Sequence, residues 1–228
     1  MADKSIVESV KDAVIKSIRG TGEIANALVD TVSGTMVNTI KRTGTVGTAI
    51  TATVSDVLRG AIQGTTELGA DVGVAAQGAV LGVMRGAKEA GVETLDAGTS
   101  SVRAVVRSTA EVGGDVGVAV KGAMIGVLAG AKEVGVGALD AVTASARIVV
   151  KSAAEVGGDV GTVAKSAVEG AIAGAKSVGL SAEDAASAAA TGALKGAAEI
   201  STTAVDQVRT VLTGTISGVK VVVKEPFK

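Results

Sequence analysis

Charge along this chain keeps an eleven-residue phase from one end almost to the other, and few folds satisfy that constraint. Numbered by remainder on division by eleven, 42 of the 45 charged residues fall on remainders 0, 1, 4, 5 and 8. An even spread would put only about 20 of them there. Asp3, Arg42 and Glu183 are the exceptions. Eleven residues make three turns at ~3.67 residues per turn, close to the α-helical period. At ~98° per residue the five charged classes span one arc of roughly 130°, and the larger apolar residues crowd the opposite side. Strand alternation, with a period of two, cannot produce this pattern.

Longer periods are multiples of the same unit. The segments AEVGGDVGV at 110–118 and AEVGGDVG at 154–161 match at an offset of 44, and ELGADVGV at 67–74 lies another 44 back. Glutamate recurs at that spacing at Glu23, Glu67, Glu111, Glu155 and Glu199, with a half-period of 22 marked by Glu89 and Glu133. Lys88, Lys132, Lys176 and Lys220 form a second ladder, and Gly47, Gly91, Gly135 and Gly179 a third. The chain reads as a single repeat array in modules of about 44 residues, at 9–52, 53–96, 97–140, 141–184 and 185–228.

The expected fold class is all-α: long amphipathic helices, packed side by side. Two geometries satisfy the period. A continuous or gently broken helix would extend to ~330 Å at ~1.5 Å per residue, and this is the expectation. Stacked hairpins are the alternative, because a 22- or 44-residue unit returns to phase after each turn. The best hinge candidates are Gly113-Gly114, Gly157-Gly158, and Gly179 followed by Ser181-Ala-Glu-Asp184. Ser5-Ile-Val-Glu8 is a capping-box pattern for the first helix, and Pro226 forbids continuation at the far end.

Glycine placement points to close packing. Many of the 32 glycines lie four apart: Gly78, Gly82 and Gly86; Gly122, Gly126 and Gly130; Gly170 and Gly174; Gly214 and Gly218. Each costs a helix about 1 kcal/mol relative to Ala, so an isolated helix would not persist in water. Recurrence at one phase favours seams where helix backbones approach closely. The charged arc is sorted by sign as well. Its basic edge holds Lys88, Lys121, Lys132, Lys165, Lys176 and Lys220; its acidic edge holds Glu23, Glu67, Glu89, Glu111, Glu133, Glu155 and Glu199. Some of these residues pair within one helix at i,i+4 spacing, as Arg107 with Glu111. Like-oriented helices side by side would also set the basic edge of one against the acidic edge of the next.

Composition narrows the chemistry. The sequence has no Cys, His, Trp or Tyr, so thiolate, imidazole and zinc-type sites are unavailable. No catalytic residue, cofactor or metal is therefore expected, and no enzyme. A formal net charge of −1 gives no electrostatic footprint for nucleic acid. Apolar content of 47% and a mean hydropathy of +0.48 are too high for ordinary disorder. The charge-free stretches of up to 13 residues, such as 72–84, fall short of the roughly 20 that a spanning helix needs. With a charged N-terminus lacking a secretory core, we expect no signal peptide and a cytoplasmic location, peripheral on a membrane or lipid surface if lipid is a partner.

Other motifs give way to the repeat. Gly170-Ala-Ile-Ala-Gly-Ala-Lys-Ser177 lacks phosphate-loop spacing, and its Lys176 is a rung of the lysine ladder. Thr31, Thr35, Thr39 and Thr43 repeat every four residues, and hydroxyl packing between helices is the expected use. The repeat, with Ala87-Lys88-Glu89-Ala90-Gly91-Val92 and Ala131-Lys132-Glu133-Val134-Gly135-Val136, resembles the synuclein and perilipin class of amphipathic helices. Its 22-residue half-period resembles exchangeable apolipoproteins. That resemblance implies binding to lipid droplets or membranes. The functional expectation from the residues themselves is a structural protein whose partners are copies of itself. It would build a filament, tubule or coat, with lipid-surface binding as the alternative and antifreeze or desiccation protection third.

Overall fold

The computed structural model describes residues 5–21, 23–43 and 48–222. Of the two geometries the period allows, the chain takes the hairpins. Ten helices follow one another: α1 (Ile6–Thr21), α2 (Ile24–Thr43), α3 (Thr48–Glu67), α4 (Val72–Glu89), α5 (Thr94–Glu111), α6 (Val116–Val134), α7 (Ala138–Glu155), α8 (Val160–Val178), α9 (Ala182–Ala198) and α10 (Thr202–Leu212). Each packs most extensively on the helix two places along the chain, so α1, α3, α5, α7 and α9 form one row. The even-numbered helices form a second row against it, and the core lies between the two.

The expected continuous helix fails at one repeating motif. Gly69, Gly91, Gly113, Gly135, Gly157 and Gly179 recur every 22 residues and all have positive φ, from 62° to 83°. Around each, an amide reaches back five residues: Ala70 to the Thr65 carbonyl at 3.1 Å, Gly114 to Thr109 at 2.9 Å, Val136 to Ala131 at 3.0 Å. These are Schellman closures, which satisfy the last carbonyls of the ending helix and reverse the chain. Two residues later comes the N-cap of the next helix, a side-chain cap at every one of these turns but Gly137 of α7. The side chains of Asp71, Asp115 and Asp159 accept from the amides of Val74, Val118 and Thr162 at 2.9–3.0 Å. Ser181 does the same for Asp184, and its hydroxyl donates to the carboxylate of Glu183, the residue out of phase there, at 3.0 Å. At the first helix Glu8 donates its amide to Ser5 Oγ at 3.3 Å, the N-cap half of the expected capping box. One helix plus one turn makes 22 residues, and a pair of helices makes 44; the drawn module boundaries fall inside α3, α5, α7 and α9, near their N-termini.

The core suits two closely spaced rows. It is built largely of Ala and Val, with Leu28, Met36, Leu58, Ile62, Met84, Met124, Leu128 and Ile172 as its larger fully buried members. Past α10 the helical phase continues in the sequence while the helix does not. Gly214–Ile216 (β1) and Val219–Val221 (β2) form an antiparallel hairpin. The β-branched run there overrides the eleven-residue pattern. Buried Ile216, Val219 and Val221 close the array beside α9, and Ser187 Oγ donates to the Val222 carbonyl at 2.7 Å.

Candidate functional site: glycine seams and charged edges

The seams lie between like-oriented neighbours. A Cβ on Gly78, Gly82 or Gly86 would strike α2: the carbonyl oxygens of Ala25 and Val29 at 2.5 and 2.8 Å, and Met36 Cβ at 2.8 Å. Gly122, Gly126 and Gly130 abut α4 at Gly73, Gln77 and Met84 in the same way, and Gly170 and Gly174 abut α6 at Lys121 and Leu128. The odd row uses the rule unevenly. Gly60 and Gly64 of α3 meet α1, and Gly192 and Gly196 of α9 meet α7. The corresponding residues are Ala104 and Ser108 on α5, and Ile148 and Ser152 on α7. The pairs α3–α5 and α5–α7 accordingly pack less extensively than their glycine-seated counterparts. Ser152 and nearby Thr109 and Ser145 leave buried hydroxyls without a partner. Gly214 and Gly218, expected in the seams, instead lie in the hairpin with φ of 109° and 80°. Both keep the repeat's register, but the helix that would have used them stops at Leu212.

The charged edges also meet inside the chain. Lys11 Nζ lies 2.8 Å from Glu67, an Arg59 nitrogen 3.0 Å from Glu111, and an Arg107 nitrogen 2.7 Å from Glu155, with Arg103 at 3.7 Å on the same carboxylate. Glu199 is held by Arg147 and by Lys151 Nζ at 2.6 Å. In the even row, Arg85 grips Glu133 through two bonds of 2.6 and 3.0 Å and reaches Asp30 at 3.8 Å, while Lys121 lies 3.5 Å from Glu169. Every one of these links joins helices two places apart, and in all but Arg85–Asp30 the cation lies on the earlier helix. Parallel helices bring opposite edges together, whereas antiparallel ones would oppose like edges.

This arrangement explains where the glutamates sit. Glu67, Glu89, Glu111 and Glu155 are the last residues of their helices, at the negative end of the macrodipole, where an acid is disfavoured. For Glu67, Glu111 and Glu155 a cation from the neighbouring helix offsets that cost. The Arg147 and Lys151 hydrogen bonds lower the Glu199 carboxyl to about 2. Arg85 likewise holds Glu133 below the ordinary carboxylate value, and the hydrogen bond to Glu67 raises Lys11. These pairs are largely exposed and screened by solvent, so each contributes little to stability. Glu23, preceding α2, accepts from Asn26 Nδ2 at 2.6 Å.

The lysine ladder behaves differently. Lys88 Nζ donates to the Glu133 carbonyl at 3.1 Å. Lys132, Lys165 and Lys176 are exposed and make no ion pair among the described residues, and Lys220 lies on the exposed side of β2. Chemically the surface is plain: among the described residues no cluster of three or more acids could hold a metal ion. Beside α10, which has no deep glycine seat on α8, a shallow groove of about 410 Å³ is lined by Asp159, Thr203, Asp206, Gln207 and Thr210. No helix of the described residues is long and apolar enough to cross a membrane.

No protein-family model matches the sequence, and no curated protein matches it. Among solved structures, the chain is similar to a de novo designed helical repeat protein. The likeness has 22% identity and a TM-score of 0.44, covering 76% of this chain and 95% of the designed one. The resemblance to synucleins and perilipins ends at period and texture. Here the apolar arc is buried between two rows of one folded array.

Proposed function

We propose that this protein is a non-enzymatic structural scaffold, a two-row helical array that stacks end to end on copies of itself to build a filament, tubule or coat. Gly34 carries the proposal. It stands on α2 one 44-residue repeat before Gly78, in the register that seats each even helix on its predecessor. A Cβ there would meet nothing within 4 Å. α2 therefore offers a further like-oriented helix the seat that α4, α6 and α8 fill for one another, and no described helix of this chain takes it. The acidic edge named from sequence is largely engaged within the chain, mostly by arginines, so it would act between copies only by fixing the orientation of what stacks; Lys132, Lys165, Lys176 and Lys220 of the basic edge make no ion pair among the described residues. Lipid binding through the apolar arc is disfavoured, because that arc forms the core.

The test is Gly34→Leu, followed by light scattering after size exclusion and by negative-stain microscopy. The native chain should form ordered polymers as concentration rises. The variant should remain monomeric with a thermal melt no lower than that of the native chain. A native chain that stays monomeric throughout ends the self-assembly proposal; a variant that polymerises normally rules out the α2 seat.

A further inference from the structure

We propose that the outward face of α4, α6 and α8 docks on an anionic lipid bilayer. This rests on surface charge and stands independently of end-to-end stacking. On α6 the stripe Val118, Lys121, Ile125, Ala129 and Lys132 faces away from the buried core, at spacings of three and four. One repeat to either side, α4 and α8 present the same positions. Two rows of lysine result, Lys121 with Lys165 and Lys88 with Lys132 and Lys176, all exposed. Eleven residues separate the rows along α6 and α8, or ~16 Å.

The rest of the face suits a planar partner. Glycine seams hold the three helices at backbone contact, so the platform is low, with Lys88, Lys121, Lys132, Lys165 and Lys176 exposed on it. Between and beside the lysine rows lie mainly small and apolar side chains, with Val118 42% exposed and Leu81 and Ile125 half-buried; Gln77, Arg85 and Glu169 are polar members of the stripe. The three helices carry six bases against three acids although the whole chain has a net charge of −1. Of those acids, Glu133 is gripped by Arg85 and Glu169 approaches Lys121, while Glu89 stands at a helix end. At the far rim Asp71, Asp115 and Asp159 turn onto backbone amides. The odd row contrasts with this, since Arg59, Arg103, Arg107, Arg147 and Lys151 are all engaged with glutamates. Charge complementarity therefore selects the even face and a flat anionic surface.

Sedimentation with phosphatidylcholine vesicles containing about one-third phosphatidylserine reads this directly, since each lysine near such a surface raises partitioning roughly five-fold. The triple variant K132Q/K165Q/K176Q, which breaks no ion pair, should lose about 100-fold in partitioning. The charge-matched control K16Q/K195Q/K220Q should bind as the native chain does, and circular dichroism should be unchanged in both. Equal losses in the two variants would overturn the assignment to this face. Equal binding to pure phosphatidylcholine, no binding at low salt, or tighter binding to duplex DNA than to vesicles would each overturn the bilayer assignment. Polymer formation is scored separately, so either proposal can fail alone.

Discussion

Replacing Gly126 by alanine separates helix propensity from seam packing. In an exposed helix the change gains about 1 kcal/mol. At Gly126 the new Cβ would stand 2.5 Å from the Gln77 carbonyl oxygen and 3.1 Å from Val80 Cβ, where ordinary contact begins at 3.4 Å. The obstacle is backbone, which cannot rotate away, so α6 must retreat from α4 by nearly 1 Å. A gap of that size forfeits a quarter to a half of the dispersion energy of each contact it opens. Overpacking of this kind costs about 1–3 kcal/mol, and opening the adjoining Gly122 and Gly130 contacts adds to it. We expect a net loss of about 2 kcal/mol, set by packing overcoming propensity. Gly34→Ala is the internal control, because nothing lies within 4 Å of its Cβ; it should gain about 1 kcal/mol. Guanidinium unfolding followed by circular dichroism measures both, with midpoints compared, since a repeat array need not unfold in one step. If Gly126→Ala stabilises as much as Gly34→Ala, the seam described here does not exist.

The Glu199 carboxyl, lowered from 4.5 to about 2 by Arg147 and Lys151, contributes stability that is fully present above pH 4.5 and is lost as pH falls towards 2. Melting temperature should therefore fall less steeply across that window in Glu199→Gln than in the native chain; parallel curves would show that the carboxylate is not held. Asp115→Ala removes the cap on α6 and should cost about 1 kcal/mol, whereas Asp115→Asn should be nearly neutral. Equal effects of the two changes on the denaturation midpoint would place the contribution in the charge and not in the cap.

Much of this architecture was legible in the sequence, for reasons particular residues show. The phase of the charges located the solvent face, because only a helix returns a side chain to one side every three or four residues. The glycines at 78, 82, 86, 122, 126 and 130 marked seams, since so many poor helix formers at one phase need a packing reason. The hinges at Gly113-Gly114, Gly157-Gly158 and Gly179 are real turns. Two further signals lie in the sequence. Glycine recurs every 22 residues from Gly69 to Gly179, and a capping residue such as Asp71, Asp115 or Asp159 follows two places later. The β-branched run from Thr215 to Val221 likewise announced the hairpin that removes Gly214 and Gly218 from the seams.

The sequence by itself determined the period, the amphipathic faces and the sorting of charge, because these follow from local helical geometry alone. It did not determine which surfaces would meet. A 22-residue repeat is in phase with both an unbroken helix and a stack of turns, so periodicity cannot choose between them. Left-handed glycines closing each helix, with caps opening the next, made the choice by folding the chain back on itself. Once folded, the helix that offers its acidic edge to Arg59 or Arg107 is a later part of the same chain. Only the tertiary structure could show that most of the glutamates are occupied and that Lys132, Lys165 and Lys176 of the even row are not.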